Sequence, residues 1–196
     1  THALLPYCED LREFPAWAQQ LHMESNGKRV DRDGQTVDYP TAPVVWGATG
    51  TPSQHSFHQL LHQGTHLVPA DFIVPLTANG DSEAQRLLVA NALAQGSALM
   101  TGAAADAPCR ELPGNRPSST LLIERLTPAA LGQLLALYEH KVFLEAVVLN
   151  LNPFDQWGVE FGKTVAQAIA RGNAGSGLDP STQSLLARAD RASGKT

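Results

Sequence analysis

Apolar runs alternate three times with helix-like stretches in this chain, and that alternation constrains the fold more than any other feature. The runs at residues 44–46, 71–76 and 120–126 read as short buried strands. A helical stretch follows each one: from Thr51 onward, from Ser82 to about residue 100, and from Thr127-Pro128 toward Asn150. Strands joined by helices run parallel, so the pattern implies an α/β chain with a mostly parallel sheet covered on both faces. Its crossovers are expected to be right-handed. Ahead of this core, residues 4–10 read as a loop. A helix then runs from Pro15 to about Glu24, burying Phe14, Trp17, Ala18 and Leu21. Residues 25–27 break it, and 28–41 form a polar surface loop or hairpin.

The stretch 46–65, WGATGTPSQHSFHQLLHQGT, carries the first cluster of reactive side chains. A short glycine turn leads from the first strand into a helix, with Thr51 as N-cap and Gln54 three residues on, as in a capping box. On one continuous helix, His55, Gln59 and His62 share a face. Lifting a histidine on the turn after a strand presents it at the carboxyl edge of the sheet. The Gly-x-x-Gly-Thr turn could cradle an anion. His55, His58 and His62 could hold a metal, but no nearby carboxylate or cysteine completes a shell, so no metal is expected. A polar packing face is the plainer alternative.

A second cluster lies in residues 152–163, NPFDQWGVEFGK. Asp155 reads as the N-cap of a helix to about Arg171. Gln156 and Lys163 are seven apart and share a face, with Glu160 as a surface partner for Lys163. A turn over 172–179 leads to a last helix, 180–192, read as an arm. Residues 1–155 are thus expected as the body and 156–196 as terminal helices. On the earlier helix, Gln20 and Glu24 are four apart and neighbours on one face.

Composition narrows the function classes. A net charge of -5, without a basic block, argues against nucleic-acid binding. Cys8 and Cys109 are too few for a disulfide framework and suit a reducing, cytoplasmic setting. The most apolar stretch, 131–151, carries Glu139, His140, Lys141 and Glu145, so no membrane span is expected. No signal-like segment opens the chain, which begins at Thr1 and reads as a piece of a longer protein.

Six strings, in order, resemble the C-terminal part of the phosphoglucose isomerases: MESNGK (23–28), QHSFHQLLHQGT (54–65), PADFIVP (69–75), GNRPS (114–118), YEHKVF (138–143) and NPFDQWGVEFGK (152–163). The resemblance implies the three-layer α/β/α sugar-isomerase (SIS) fold with a C-terminal helical arm. It also implies a homodimer and interconversion of glucose 6-phosphate and fructose 6-phosphate without a cofactor. Glu24 matches the base that moves a proton between C2 and C1. His55 matches the histidine that enters the partner subunit's site and helps open the ring. Lys163 matches the lysine that assists ring opening, and Gln20 and Gln156 match substrate-contacting glutamines.

Those residue types suit the chemistry. A carboxylate shielded from full solvation can take a C–H proton and return it one carbon away. An imidazole and an ammonium can share the proton transfers of ring opening. The glycine turn departs from the family's usual Glu-Pro between the glycines. The family's phosphate loops and the arginine that steadies the enediolate, along with its N-terminal SIS domain, are expected upstream of this chain. The alternative is a noncatalytic sugar-phosphate-binding or assembly module that kept the fold.

Overall fold

A computed structural model describes residues 1–77, 82–172 and 177–194. The chain divides into two compact units, Thr1–Phe154 and Asp155–Thr196. The first unit contains strands β1 (His2–Pro6), β2 (Val45–Gly47), β3 (Ala70–Thr77) and β4 (Ser118–Arg125). Its helices are α1 (Phe14–Asn26), α2 (Gly50–Gln54), α3 (His58–Gln63), α4 (Ser82–Thr101) and α5 (Pro128–Val148). The second contains α6 (Trp157–Ala170) and α7 (Pro180–Ala192). Of the turn expected over 172–179, residues 173–176 lie outside the described residues.

All three strand pairings are parallel, in the order β2-β1-β3-β4. Successive side chains of a strand point to opposite faces, and two cores result. Leu5, Tyr7, Phe72 and Val74 pack with Leu61, Ala92 and Leu99 of α3 and α4. Leu4, Val45 and Ile73 pack with Phe14, Ala18, Leu134 and Tyr138 of α1 and α5. The sheet is therefore the middle of three layers, as the alternation of elements implied.

Residues 4–10 were expected as a loop, and here the structure corrects the reading. His2–Pro6 is an inner strand with all five residues buried. Buried on both faces, it has no polar alternation to betray it, and it is too short to signal otherwise. Pro6 is tolerated because it ends the strand; the ladder resumes where Tyr7 N donates to Ile73 O at 2.8 Å.

At the other end of the first unit, Thr127 caps α5 by accepting from Ala130 N, and Pro128 occupies the first turn. The GNRPS string seals helix ends: Asn115 N and Arg116 N donate to Met100 O and Leu99 O of α4. The Arg116 guanidinium reaches Gly64 O at 2.7 Å, beyond α3. The face of α5 turned away from the sheet remains apolar and open, with Leu137, Leu144 and Val148 all exposed.

Candidate active site

The glycine turn between β2 and α2 is built by close packing. A Cβ on Gly47 would collide with the Leu4 carbonyl, and one on Gly50 with the Tyr7 ring. Both glycines let this turn lie against the end of β1, which accounts for them without an anion. The N-cap of α2 is Thr49 rather than Thr51, and Gln54 donates to the Tyr7 hydroxyl at 2.8 Å instead of closing a capping box.

The continuous helix expected from Thr51 to His62 is broken. α2 ends at Gln54, His55 is its C-cap, and α3 begins at His58. The reason is a buried polar contact that a regular helix cannot make. Ser53 and His58 would stand about 140° apart around an unbroken helix. Across the break, Ser53 Oγ lies 3.2 Å from His58 Nε2 and donates to Gly50 O at 2.6 Å. His58 Nδ1 meets Gln95 Oε1 of α4 at 3.1 Å, and His62 Nε2 meets the same oxygen at 2.8 Å. Phe57 packs edge-on against Trp46 at 4.7 Å. Burial pushes His58 below the usual imidazole range; the Gln95 contact opposes this, and the charge of His62 adds to it. His55 is left exposed on the turn, without a side-chain hydrogen bond among the described residues. His58 and His62 serve packing, and among the described residues no three His, Cys, Asp or Glu side chains gather as metal ligands.

Gln20 and Glu24 lie on one exposed face of α1, as their spacing implied. Lys28 Nζ donates to the backbone oxygens of Glu24 at 2.7 Å and Ser25 at 2.8 Å, sealing the helix end. The opposite face of the last two turns is anchored on α5: His22 Nε2 lies 2.6 Å from Glu145 Oε2, and Asn26 Nδ2 donates to Val142 O at 3.0 Å. The His22 contact is close but off the line of a hydrogen bond.

The parallel register then sets where these groups stand. His2 pairs with Val45 and Leu4 with Gly47, so α1 carries the chain back to the edge where β1 began. Glu24, near the end of α1, is at the amino edge of the sheet. His55 follows β2 and is at the carboxyl edge. Within one chain the structure does not bring Glu24 and His55 together.

In the second unit, Gln156 rather than Asp155 is the N-cap of α6, seven residues before Lys163. Lys163 Nζ pairs with Glu160 Oε1 at 3.0 Å, both side chains being more than half exposed. Such a pair contributes little to stability.

The profile of the phosphoglucose isomerase family matches residues 1–186. The chain belongs to that family. Among curated relatives, it is 52% identical over 189 residues to the glucose-6-phosphate isomerase of Chlorobium luteolum, covering 86% of this chain and 34% of that protein. It is 51% identical to that of Novosphingobium aromaticivorans, covering 95% and 37%. A crystal structure of a glucose-6-phosphate isomerase from Chlamydia trachomatis superposes with a TM-score of 0.85 at 38% identity, covering 96% of this chain and 37% of that one. The chain thus spans little more than a third of the length of the phosphoglucose isomerases it matches.

Sequence reasoning missed the polar groups that support these side chains. His22–Glu145, and Ser53–His58–Gln95, are separated by too many residues, or by the wrong helical step, for spacing to reveal them. A histidine in the middle of an otherwise apolar helix face was the available signal for His22. No helix of the described residues is long and apolar enough to cross a membrane.

Proposed function

We propose that this chain is the part of a glucose-6-phosphate isomerase that carries Glu24, His55 and Lys163. The protein would interconvert glucose 6-phosphate and fructose 6-phosphate by ring opening and enediol proton transfer. Family membership across residues 1–186 is the observation that carries this reading. In it, Glu24 takes the C2 proton and returns it to C1, Gln20 and Gln156 contact the substrate, and Lys163 assists ring opening. The body would be residues 1–155 and the arm 156–196.

The register of β1 and β2 supports a site shared between chains. With Glu24 and His55 at opposite sheet edges, an His55 that serves the sugar held by Glu24 comes from the second subunit of a homodimer. A hexose 6-phosphate is the substrate this requires, and the cytoplasm is the setting where both sugar phosphates occur.

The test is an assay of the full-length protein with each sugar phosphate. Turnover in both directions is expected. Glu24→Gln keeps the side chain's shape but cannot accept a C–H proton, and it should lower the rate by ~10²–10⁴-fold. Exchange of the C2 hydrogen with solvent should stop while binding changes much less. Exchange at the wild-type rate in Glu24→Gln would show the base to be another group.

A further inference from the structure

The apolar anchorage of α1 stops short of Glu24. Phe14 and Ala18 are buried against the α5 side of the sheet, and Phe14 meets Tyr138 edge-on at 5.0 Å. Beyond Ala18 the fully buried side chains of α1 are His22 and Asn26, both polar. Each is tied to α5, His22 to the Glu145 carboxylate at 2.6 Å and Asn26 to Val142 O at 3.0 Å. Glu24 lies two residues from each, about 200° around the helix, and so faces away from both. An apolar contact would hold the helix near α5 but leave its roll loosely set. The Asn26 hydrogen bond is directional, and the close His22–Glu145 contact tethers a second point one turn away, so together they set the roll of the last two turns.

The geometry points to His22, Glu145 and Asn26 as positioning residues for Glu24: they set the angle at which α1 presents its carboxylate, without touching the substrate. This rests on the reading of Glu24 as the proton-transferring base. Misplacing a reacting group by an ångström costs rate far more than it costs binding. The three residues should therefore act on the C–H step and leave ring opening and sugar binding almost alone.

The experiment uses the full-length protein with glucose 6-phosphate carrying hydrogen or deuterium at C2. His22→Phe fills the space but loses the polar contact, and His22→Gln keeps a polar group facing Glu145. Glu145→Ala, at a carboxylate that reaches solvent, gives a second variant should His22→Phe not fold. In His22→Phe or Glu145→Ala, kcat should fall about 10- to 100-fold with KM nearly unchanged. The C2 isotope effect should rise, because proton transfer becomes more rate-limiting, and His22→Gln should recover most of the rate. A role in stability alone would lower the unfolding temperature while leaving kcat and the isotope effect of folded enzyme unchanged, and that result overturns the inference. So does a His22→Gln enzyme as slow as His22→Phe. A wild type without turnover, or a Glu24→Gln variant at full rate, would remove the functional reading and this inference with it.

Discussion

Tyr138 donates its hydroxyl to Asp71 Oδ2 at 2.8 Å, joining α5 to the amino end of β3. The same carboxylate oxygen meets His2 Nε2 of β1 at 3.1 Å, so one partly buried acid ties two strands and a helix together. Burial pushes Asp71 up, but the contacts with His2 and Tyr138 and the charge of Lys141 outweigh it and hold the carboxyl below its usual range. Burial, the Asp71 charge and the hydrogen bond together push Tyr138 well above the usual phenol range. Tyr138→Phe should keep the edge contact with Phe14 and lose only the hydroxyl. A hydrogen bond to a charged group contributes ~1.5–3 kcal/mol, which is roughly 3–12 °C in the unfolding midpoint for a chain of this size. Adding Asp71→Asn to Tyr138→Phe should cost less than the two single effects combined. Strict additivity in the thermal unfolding of the four proteins would show the pair to be uncoupled.

Acid should loosen the fold in two steps. His58, Asp71 and Glu145 all have folded pKa values below their ordinary ones. For Glu145, burial pushes upward but the His22 contact and the charges of His22, Lys141 and His2 win. A depressed pKa means that the unfolded chain binds more protons, so each group stabilises the fold above its unfolded pKa and that contribution is lost as pH falls. His58 should begin the loss as pH drops below ~6.5, and the two carboxylates should add a second step below ~4. His58→Gln should flatten the first step in a series of unfolding midpoints from pH 8 to 3. Identical slopes in wild type and variant between pH 6.5 and 5 would exclude His58 as its source.

The homodimer proposed from the opposite-edge placement of Glu24 and His55 leads to a complementation result. Glu24→Gln and His55→Ala homodimers of the full-length protein should each be nearly inactive. Random pairing of the two should give about a quarter of the wild-type sites, because half the dimers are mixed and each holds one intact site. No recovered activity after subunit exchange, verified by mass, would place both groups in one chain's site.

Residues 1–196 alone should not turn over glucose 6-phosphate. The chain spans only 34% and 37% of the length of two of its relatives. It keeps Glu24 and His55 at separate edges, and much of a phosphosugar enzyme's rate comes from binding energy away from the reacting carbons. The exposed strand β4 and the open apolar face of α5 should make the isolated chain self-associate. A coupled assay and light scattering on the purified chain test both points. Turnover within tenfold of the full-length protein, from a monomer, would contradict this account.

The layers of the fold were legible because β3, β4, α4 and α5 are long enough for their patterns to stand clear of their surroundings. Thr127-Pro128 announced α5 through local capping chemistry, and α1 showed its buried stripe. The pairing of Gln20 with Glu24 was legible for the same reason, since one helical turn separates them. β1 was not legible: an inner strand of five residues buried on both faces carries no period. The break between α2 and α3 was hidden too, because the local signals at Thr51, Pro52 and Gln54 all favour one helix. A buried contact between Ser53, His58 and Gln95 overrode them.

By itself, then, the sequence determined the α/β class, the parallel sheet, the family and the residue types available for proton transfer, because these rest on local periodicity and on ordered strings. Only the tertiary structure decided which groups can meet. The register of His2 with Val45 placed Glu24 and His55 at opposite edges, and α5 supplied Glu145 and Val142 to the end of α1. Val142 O is 116 residues from Asn26 along the chain. Contacts over that span depend on how strands and helices stack, and no local spacing encodes them.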